Sequence, residues 1–194
     1  MPSTPPLHVL IVRTDHLGDM LLTLPMAHAI KAAHPQWRVS VLASAANAEA
    51  ARHHPDVDHV EVDPLEAKGS GVRGVHRLAR QIRALGCDAA VIVHPTPRLA
   101  IAIYLAGVPL RVGTAYRAYS FLFNRRIHEH RRRPPWKHET EYNLNLLRPL
   151  GIAPAAAPWM GWQVTDEERD AVDARLREHG GQEAQLAVLH PGNA

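Results

Sequence analysis

Leu7-His8-Val9-Leu10-Ile11-Val12 is a short apolar run, and a polar loop from Arg13 to Gly18 follows it. Because almost every residue of the run is apolar, it predicts a strand that is buried on both faces, as in parallel sheets. Helical spacing of apolar residues follows from Asp19, and Pro25 within it predicts that a helix starts or bends there. A strand, a polar loop and a helix in this order are typical of an α/β fold.

The same alternation continues along most of the chain. It predicts strands at residues 38–42, 57–62, 89–93 and 110–113, helices at 47–54, 72–85, 99–106 and 138–150, a flexible break at 69–74 and an irregular segment at 114–137. Gly86, Gly107 and Gly151 are expected to end helices. The order predicts an α/β class with a Rossmann-like, doubly wound parallel sheet. In such sheets, ligands bind at the carboxyl ends of the strands.

The last fifth of the chain has a different pattern. Residues 152–162 are rich in proline and alanine and predict a linker, and a capping box that starts at Thr165 predicts a helix. Leu186–Leu189 reads as one more buried strand, which we interpret as the start of a second domain contained only in part; the alternative is that it joins the first sheet. The expected domains are 1–151 (Rossmann-like), 152–184 (linker and crossing helix) and 185–194 (first strand of a truncated second domain).

Composition limits the function classes. Lys and Arg number 22 against 19 Asp and Glu, and a net charge of +3 does not by itself call for nucleic acid. Cys87 is the single cysteine, so it cannot form an intramolecular disulfide, and we expect it in the core of a protein from a reducing compartment. The sequence shows no basic signal-peptide start and no apolar run near the ~20 residues of a spanning helix. We expect a cytoplasmic protein that is soluble or rests on a membrane surface.

The loop after the first strand carries the first candidate for chemistry. It lacks both the glycine pattern of a dinucleotide-binding turn and that of a P-loop. Asp19 near a helix start could accept a proton from a substrate hydroxyl, beside Gly18, which would let the backbone turn or a substrate come close. Asp15 competes for that role, and the commoner use of Asp at such a position is as an N-cap.

Positive charge and aromatic rings are concentrated between residues 111 and 137. The basic residues are Arg111, Arg117, Arg125, Arg126, Arg131, Arg132, Arg133 and Lys137. Guanidinium groups suit phosphate and carboxylate, so the segment fits an anionic small ligand, an anionic membrane surface or RNA, and a solvated loop is the fourth interpretation. The histidines, His128, His130 and His138 among them, lack the spacing of a metal site, so no metal is expected.

Residues 9–25, VLIVRTDHLGDMLLTLP, resemble the start of glycosyltransferase family 9, the lipopolysaccharide heptosyltransferases. Further similar segments follow in the family's order along nearly all of the chain. They are 39–42, 55–58, Arg98, 105–109, 111–113, His138, 146–151 and 189–194. The chain departs from the family at His94-Pro95-Thr96-Pro97, where many members carry a D-x-Q-G-type turn, and this leaves the acceptor sugar open.

The resemblance implies the N-terminal half of a GT-B fold, in which two Rossmann-like domains face each other across a cleft. It implies an inverting, metal-independent glycosyltransferase without a cofactor. The expected donor is a nucleotide-sugar, ADP-heptose above others, and the expected acceptor is an anionic lipid-linked saccharide of the lipopolysaccharide core or a related glycan, at the cytoplasmic face of the inner membrane. The implied site residues are Asp19 as general base, Thr14, Gly18, Arg98, Arg111, Arg117 and His138 for substrate, and Pro191 and Gly192 for the donor phosphates.

Two other functions stay open from the residues. One is a non-catalytic module that binds anions or membranes through residues 131–133, and the other is a different GT-B enzyme such as a nucleotide-sugar epimerase. If the donor half is absent, we expect the chain alone to be inactive.

Overall fold

The computed structural model describes residues 7–63, 71–129, 136–153 and 164–180, together with Ala187. The chain divides into two compact units, residues 1–161 and 162–194. The strands are β1 His8–Val12, β2 Arg38–Ala43, β3 His59–Val62, β4 Ala89–Ile92, β5 Leu110–Thr114 and β6 Arg125–Ile127. The helices are α1 Leu17–Leu21, α2 Pro25–Ala33, α3 Ala48–Arg52, α4 Gly71–Leu85, α5 Pro97–Ala106, α6 Glu139–Asn145 and α7 Asp166–Glu178, with 3-10 turns at Ser120–Leu122 and Arg148–Leu150.

The six strands of the described residues lie in one parallel sheet in the order β3-β2-β1-β4-β5-β6. β1 is the central strand, and Val9 pairs with Val39 of β2 on one side and with Ala89 of β4 on the other. The chain therefore winds outward from β1 in one direction and then, after α4, in the other. This confirms the predicted doubly wound, Rossmann-like sheet, with its switch point between β1 and β4.

Both faces of the sheet are covered, which explains why β1 is apolar from Val9 to Val12. Val9 and Ile11 belong to one core cluster, which includes the buried residues of α2. Leu10 and Val12 belong to the other cluster, which includes the buried residues of α4 and α5. Alternate residues of a strand point to opposite faces, so a strand between two helical layers needs apolar residues at every position.

The predicted strands at 38–42, 57–62, 89–93 and 110–113 are confirmed, with ends that differ by at most two residues. A new helix starts at Pro25, where the missing N–H of proline costs nothing because first-turn N–H groups have no intrahelical partner. Gly107 ends α5 with φ of 79°, a left-handed conformation that glycine adopts without a steric penalty. Cys87 is buried as expected, and burial raises the pKa of its thiol to about 11.

Three expectations were wrong in part. The flexible break at 69–74 is helical from Gly71 onward, because α4 buries Leu78 and Ile82, which offsets the ~1 kcal/mol by which glycine disfavours a helix. The segment 114–137 contains β6, a strand of three residues that is too short to show a period. The helix at 138–150 ends at Asn145, since Pro149 would clash with the carbonyl of Asn145 in a continued α-helix.

The second unit contains α7, and its predicted capping box is confirmed. Thr165 Oγ1 accepts from the N–H of Glu168 at 3.2 Å, and a Glu168 carboxylate oxygen accepts from the N–H of Thr165 at 2.9 Å. Of the strand predicted at 186–189, only Ala187 is described, and Pro191 and Gly192 lie outside the described residues. The domain boundaries therefore stay a prediction. Within the described ranges, no helix combines the length and the apolar character needed to cross a membrane.

Candidate functional site

A cavity of about 460 Å³ opens at the carboxyl ends of the strands. Its walls come from the segments that follow β4, β5 and β6, and from α6. The polar lining residues are His94, Thr114, Tyr116, Arg117, Glu129 and Tyr142. This is the edge at which ligands bind in doubly wound sheets, and the volume is in the usual range of small-molecule sites.

Arg13, the first residue after β1, organises the charges beside this cavity. Its side chain is only 3% exposed and contacts three carboxylates. Arg13 Nε lies 2.5 Å from Asp15 Oδ1, one Nη lies 3.0 Å from Asp19 Oδ1, and the other lies 3.6 Å from Glu139 Oε1. One buried guanidinium therefore holds acidic groups from the first loop, α1 and α6 in a single cluster.

Asp19 is the more accessible acid of the first loop. Its side chain is 33% exposed and lies in the first turn of α1, whose N-cap residue is His16. The alternative that Asp19 is an N-cap is therefore wrong. Asp19 is not part of the cavity lining. Arg13, which contacts its carboxylate, connects it to Asp15 and Glu139.

Asp15 is more strongly engaged. Its carboxylate is 17% exposed and contacts both Arg13 and Nδ1 of His94, the latter at 3.3 Å. Its backbone carbonyl accepts a hydrogen bond from Asn47 Nδ2 at 2.6 Å. Of the two acids, Asp19 therefore has the freer carboxylate for a substrate hydroxyl, whereas Asp15 is placed to orient an imidazole.

Thr14 and Gly18 lie in the same loop region. Thr14 is half-buried, and Gly18 is exposed within α1. Gly18 has no left-handed φ, and a Cβ added there would meet nothing within 4 Å. The backbone turn expected from Gly18 is therefore not needed, and close approach of a substrate at this position stays a prediction.

Two of the predicted arginines are bound within the fold. Both guanidinium nitrogens Nη1 and Nη2 of Arg98 pair with Asp63, whose side chain is 1% exposed at the end of β3. Arg111 lies near the start of β5, donates to the carbonyls of Leu122 and Val108 at 2.9 and 2.6 Å, and covers the ring of Tyr104. The structure does not bring these two side chains to the cavity lining, and their substrate role stays a prediction.

Arg117 and His138 are the two further substrate residues of the prediction. Arg117 is exposed and forms part of its wall. His138 is the N-cap of α6: its Nδ1 accepts from the N–H of Thr140 at 3.3 Å, and its own N–H donates to Glu141 at 2.7 Å. It precedes Glu139, which contacts Arg13.

Sequence reasoning missed Arg13, His94 and Glu129 as parts of the site. Glu129 accepts hydrogen bonds from Lys137 and, at 2.9 Å, from Asn145 Nδ2. The motif contained a signal for Arg13, since a single arginine follows the strand with acids two and six positions later. His94 and Glu129 had no such signal, because their partners come from other loops. Among the described residues, no group of three or more His, Cys, Asp or Glu could hold a metal ion.

Comparisons with known proteins agree with this architecture. No protein-family model matches the chain. A curated relative from Haemophilus influenzae, named "Putative glycosyltransferase", is 28% identical over 140 residues, which are 72% of this chain and 39% of the relative. The match thus covers less than half of that relative.

Solved structures match the fold over most of the chain. A family 9 glycosyl transferase from Veillonella parvula has a TM-score of 0.80 at 19% identity, and the match covers 93% of this chain and 51% of that one. The E. coli ADP-heptose lps heptosyltransferase II has a TM-score of 0.71 at 19% identity, with 87% and 50% covered. The E. coli heptosyltransferase WaaC with ADP has a TM-score of 0.63 at 22% identity, with 77% and 49% covered.

The sheet order and these matches define the class: an α/β, Rossmann-like fold that corresponds to about half of a GT-B glycosyltransferase. The sequence motifs indicated a resemblance to glycosyltransferase family 9, and the matched structures confirm that resemblance at the level of the fold.

Proposed function

We propose that the chain is the acceptor-binding half of an inverting, metal-independent glycosyltransferase of lipopolysaccharide core or related cell-surface glycan synthesis. The observation that carries the proposal is the accessible Asp19 carboxylate, which the buried Arg13 fixes at the carboxyl edge of the sheet, next to a cavity that contains Arg117. This edge is where a second, donor-binding domain would face the first in a GT-B protein.

In the proposed reaction, an acceptor hydroxyl attacks the anomeric carbon of the donor sugar while the nucleoside diphosphate leaves from the opposite face. Asp19 takes the hydroxyl proton as the new bond forms, which contributes typically 10²–10⁴-fold to a rate. The fixed contact with Arg13 holds the carboxylate in one orientation, so less freedom is lost when the acceptor binds.

The cavity supports an anionic saccharide as acceptor. Arg117 offers a guanidinium to a carboxylate or phosphate, and the exposed Tyr116 offers an aromatic ring. For the donor, we propose a nucleotide-sugar of the ADP-heptose type, because one E. coli structure that shares the fold is described with ADP and another with ADP-2-deoxy-2-fluoro heptose.

Contact with the cytoplasmic face of the inner membrane is supported by α4. Arg73, Arg77 and Arg80 are exposed on this helix, which contains no acidic residue. Basic residues near an anionic lipid surface contribute ~1 kcal/mol each. We expect the chain to sediment with phosphatidylglycerol vesicles at low salt and to be released at high salt; equal sedimentation with neutral phosphatidylcholine vesicles would contradict this part of the proposal.

The acceptor role is tested by calorimetric titration of the chain with a lipid-free anionic saccharide from a lipopolysaccharide inner core. Arg117→Gln is expected to weaken binding about tenfold, because a charge-assisted hydrogen bond is lost. Arg125→Gln, on the exposed strand β6, is the matched control and should bind as the wild type does. Wild-type affinity in Arg117→Gln, or no saccharide binding by the wild type, would contradict the proposal.

The catalytic role of Asp19 needs both halves of a transferase. With ADP-heptose and a lipid-linked acceptor, we expect no transfer by the chain alone, because the structures it matches are about twice as long. In a protein that contains both halves, Asp19→Asn should lower kcat at least ~10²-fold and leave donor binding nearly unchanged. An unchanged kcat would remove Asp19 from the mechanism.

A further inference from the structure

We propose that His94 binds the acceptor saccharide by accepting a hydrogen bond from a sugar hydroxyl at Nε2, and that Asp15 and Arg13 are the residues that position its ring. This inference rests on the proposed function and assigns a specific recognition role within the cavity. It concerns a side chain that follows β4, at the switch point of the sheet.

His94 is the link between the charge cluster and the cavity. It lines the cavity, and its side chain is 49% exposed, so a ligand can reach the ring. Its Nδ1 lies 3.3 Å from Asp15 Oδ2. Neither Asp19 nor Asp15 lines the cavity, so a saccharide inside it meets His94 rather than either acid of the first loop.

Asp15 is held firmly enough to orient a ring. Arg13 Nε contacts one carboxylate oxygen of Asp15, Oδ1, and the other oxygen, Oδ2, contacts His94. Asn47, which is buried, fixes the backbone of Asp15 through its carbonyl. A carboxylate with both its side chain and its backbone anchored is a positioning group of the kind that fixes the tautomer of a histidine.

The tautomer decides what the ring can recognise. A carboxylate can only accept hydrogen bonds, so the nearby Asp15 Oδ2 favours the neutral His94 tautomer with its proton on Nδ1, which leaves Nε2 as an acceptor. The charged and titratable groups that share the cavity or contact Asp15 are Arg13, Tyr116, Arg117, Glu129 and Tyr142.

The rest of the cavity lining makes an additional acceptor valuable. Arg117 can only donate, and the contacts of Glu129 with Lys137 and Asn145 both end on its Oε1 and hold that carboxylate in place. A sugar acid presents anionic oxygens, which suit Arg117, and hydroxyl protons, which need an acceptor. His94 supplies such an acceptor in addition to Glu129, and together with Arg117 it would select a saccharide that has both groups.

The first test measures the tautomer directly and requires no ligand. Two-dimensional ¹H–¹⁵N spectra of the histidine rings, recorded at a pH where the rings are neutral, report which nitrogen carries the proton. The protein has 14 histidines, so the His94 signals are assigned by their loss in His94→Gln. We expect the proton on Nδ1. A proton on Nε2 overturns the inference and leaves the proposed function intact.

The second test uses two variants of the exposed ring with the same inner-core saccharide. His94→Asn retains an N–H donor near the position of Nδ1 and removes Nε2, whereas His94→Gln can place its amide oxygen near the position of Nε2. We expect His94→Asn to bind about tenfold more weakly and His94→Gln to bind within about threefold of the wild type.

Each result of this second test has a distinct meaning. Wild-type affinity in His94→Asn, when the wild type binds the saccharide and Arg117→Gln does not, overturns the inference alone. Equal losses in both His94 variants also overturn it, since the acceptor at Nε2 would then not be the group that matters. Failure of the wild type to bind the saccharide overturns the proposed function and, with it, the inference.

Discussion

The loop at residues 13–19 and the segment at 114–129 lie at the same edge of the sheet and use arginine in opposite ways. Arg13 is buried and neutralised by three carboxylates, so it is part of the framework. Arg117 is exposed and lines the cavity, so it can meet a ligand. The position of an arginine after a strand therefore does not indicate its role. Its role depends on whether acidic side chains lie close enough to pair with the guanidinium. By the same criterion, Arg98 resembles Arg13, because its guanidinium is paired with the buried carboxylate of Asp63.

The largest effect that this comparison predicts is on stability. Arg13→Leu removes the guanidinium that Asp15, Asp19 and Glu139 share, and we expect the free energy of unfolding to fall by ~3–5 kcal/mol. Urea denaturation followed by circular dichroism measures it. Arg117→Leu is the matched control and should stay within ~0.5 kcal/mol of the wild type. Similar losses in both variants would remove the distinction between the two regions.

A smaller loss is predicted where the second segment packs against β5, through the contact of Phe123 with Gly113. A Cβ added at Gly113 would lie 2.6 Å from the ring of Phe123, which is buried. We expect Gly113→Ala to lower the free energy of unfolding by ~1–3 kcal/mol, as overpacking does.

Gly18→Ala provides the contrast in the first region. A Cβ there meets nothing within 4 Å, and alanine favours a helix over glycine by up to ~1 kcal/mol, so the same denaturation assay should show no loss. Equal destabilisation at both glycines would mean that the close contact with Phe123 is not what requires glycine at position 113.

The smallest effect concerns pH and lies outside both regions. Burial, with the charge of Arg38 beside it, lowers the pKa of His8, and burial lowers the pKa of His54. The unfolded chain therefore binds more protons than the folded one just below pH 6.5, the ordinary value. Stability from these groups is complete above that pH and is lost as the pH falls toward the lowered values.

We expect urea unfolding to show lower stability at pH 5.5 than at pH 7.5. His8→Gln can keep a hydrogen bond to Ser40 Oγ, which lies 2.7 Å from His8 Nε2, and should reduce the difference between the two pH values. A difference as large in His8→Gln as in the wild type would assign the pH dependence to other groups.

The sequence predicted the sheet well because its central strands have long apolar runs, as Val9-Leu10-Ile11-Val12 shows. It did not reveal β6, since Arg125 and Arg126 are exposed and only three residues pair with β5. For the candidate site, the motif predicted that Asp19 lies near a helix start after β1, and the structure has it in the first turn of α1. The partners of Arg98 and His94 could not be predicted, because Asp63 and Asp15 are distant in sequence and meet them only after the strands have paired.

The short strand β6 has a consequence for how the molecule behaves in concentrated solution. It forms the outer border of the sheet, and two of its three residues carry exposed guanidinium groups. A brief, positively charged border repels a second copy that approaches to add its own strand, which is how natural sheets avoid aggregation. Replacing Arg125 and Arg126 by valine would therefore leave an apolar, unpaired strand edge to which a second copy could add its own strand.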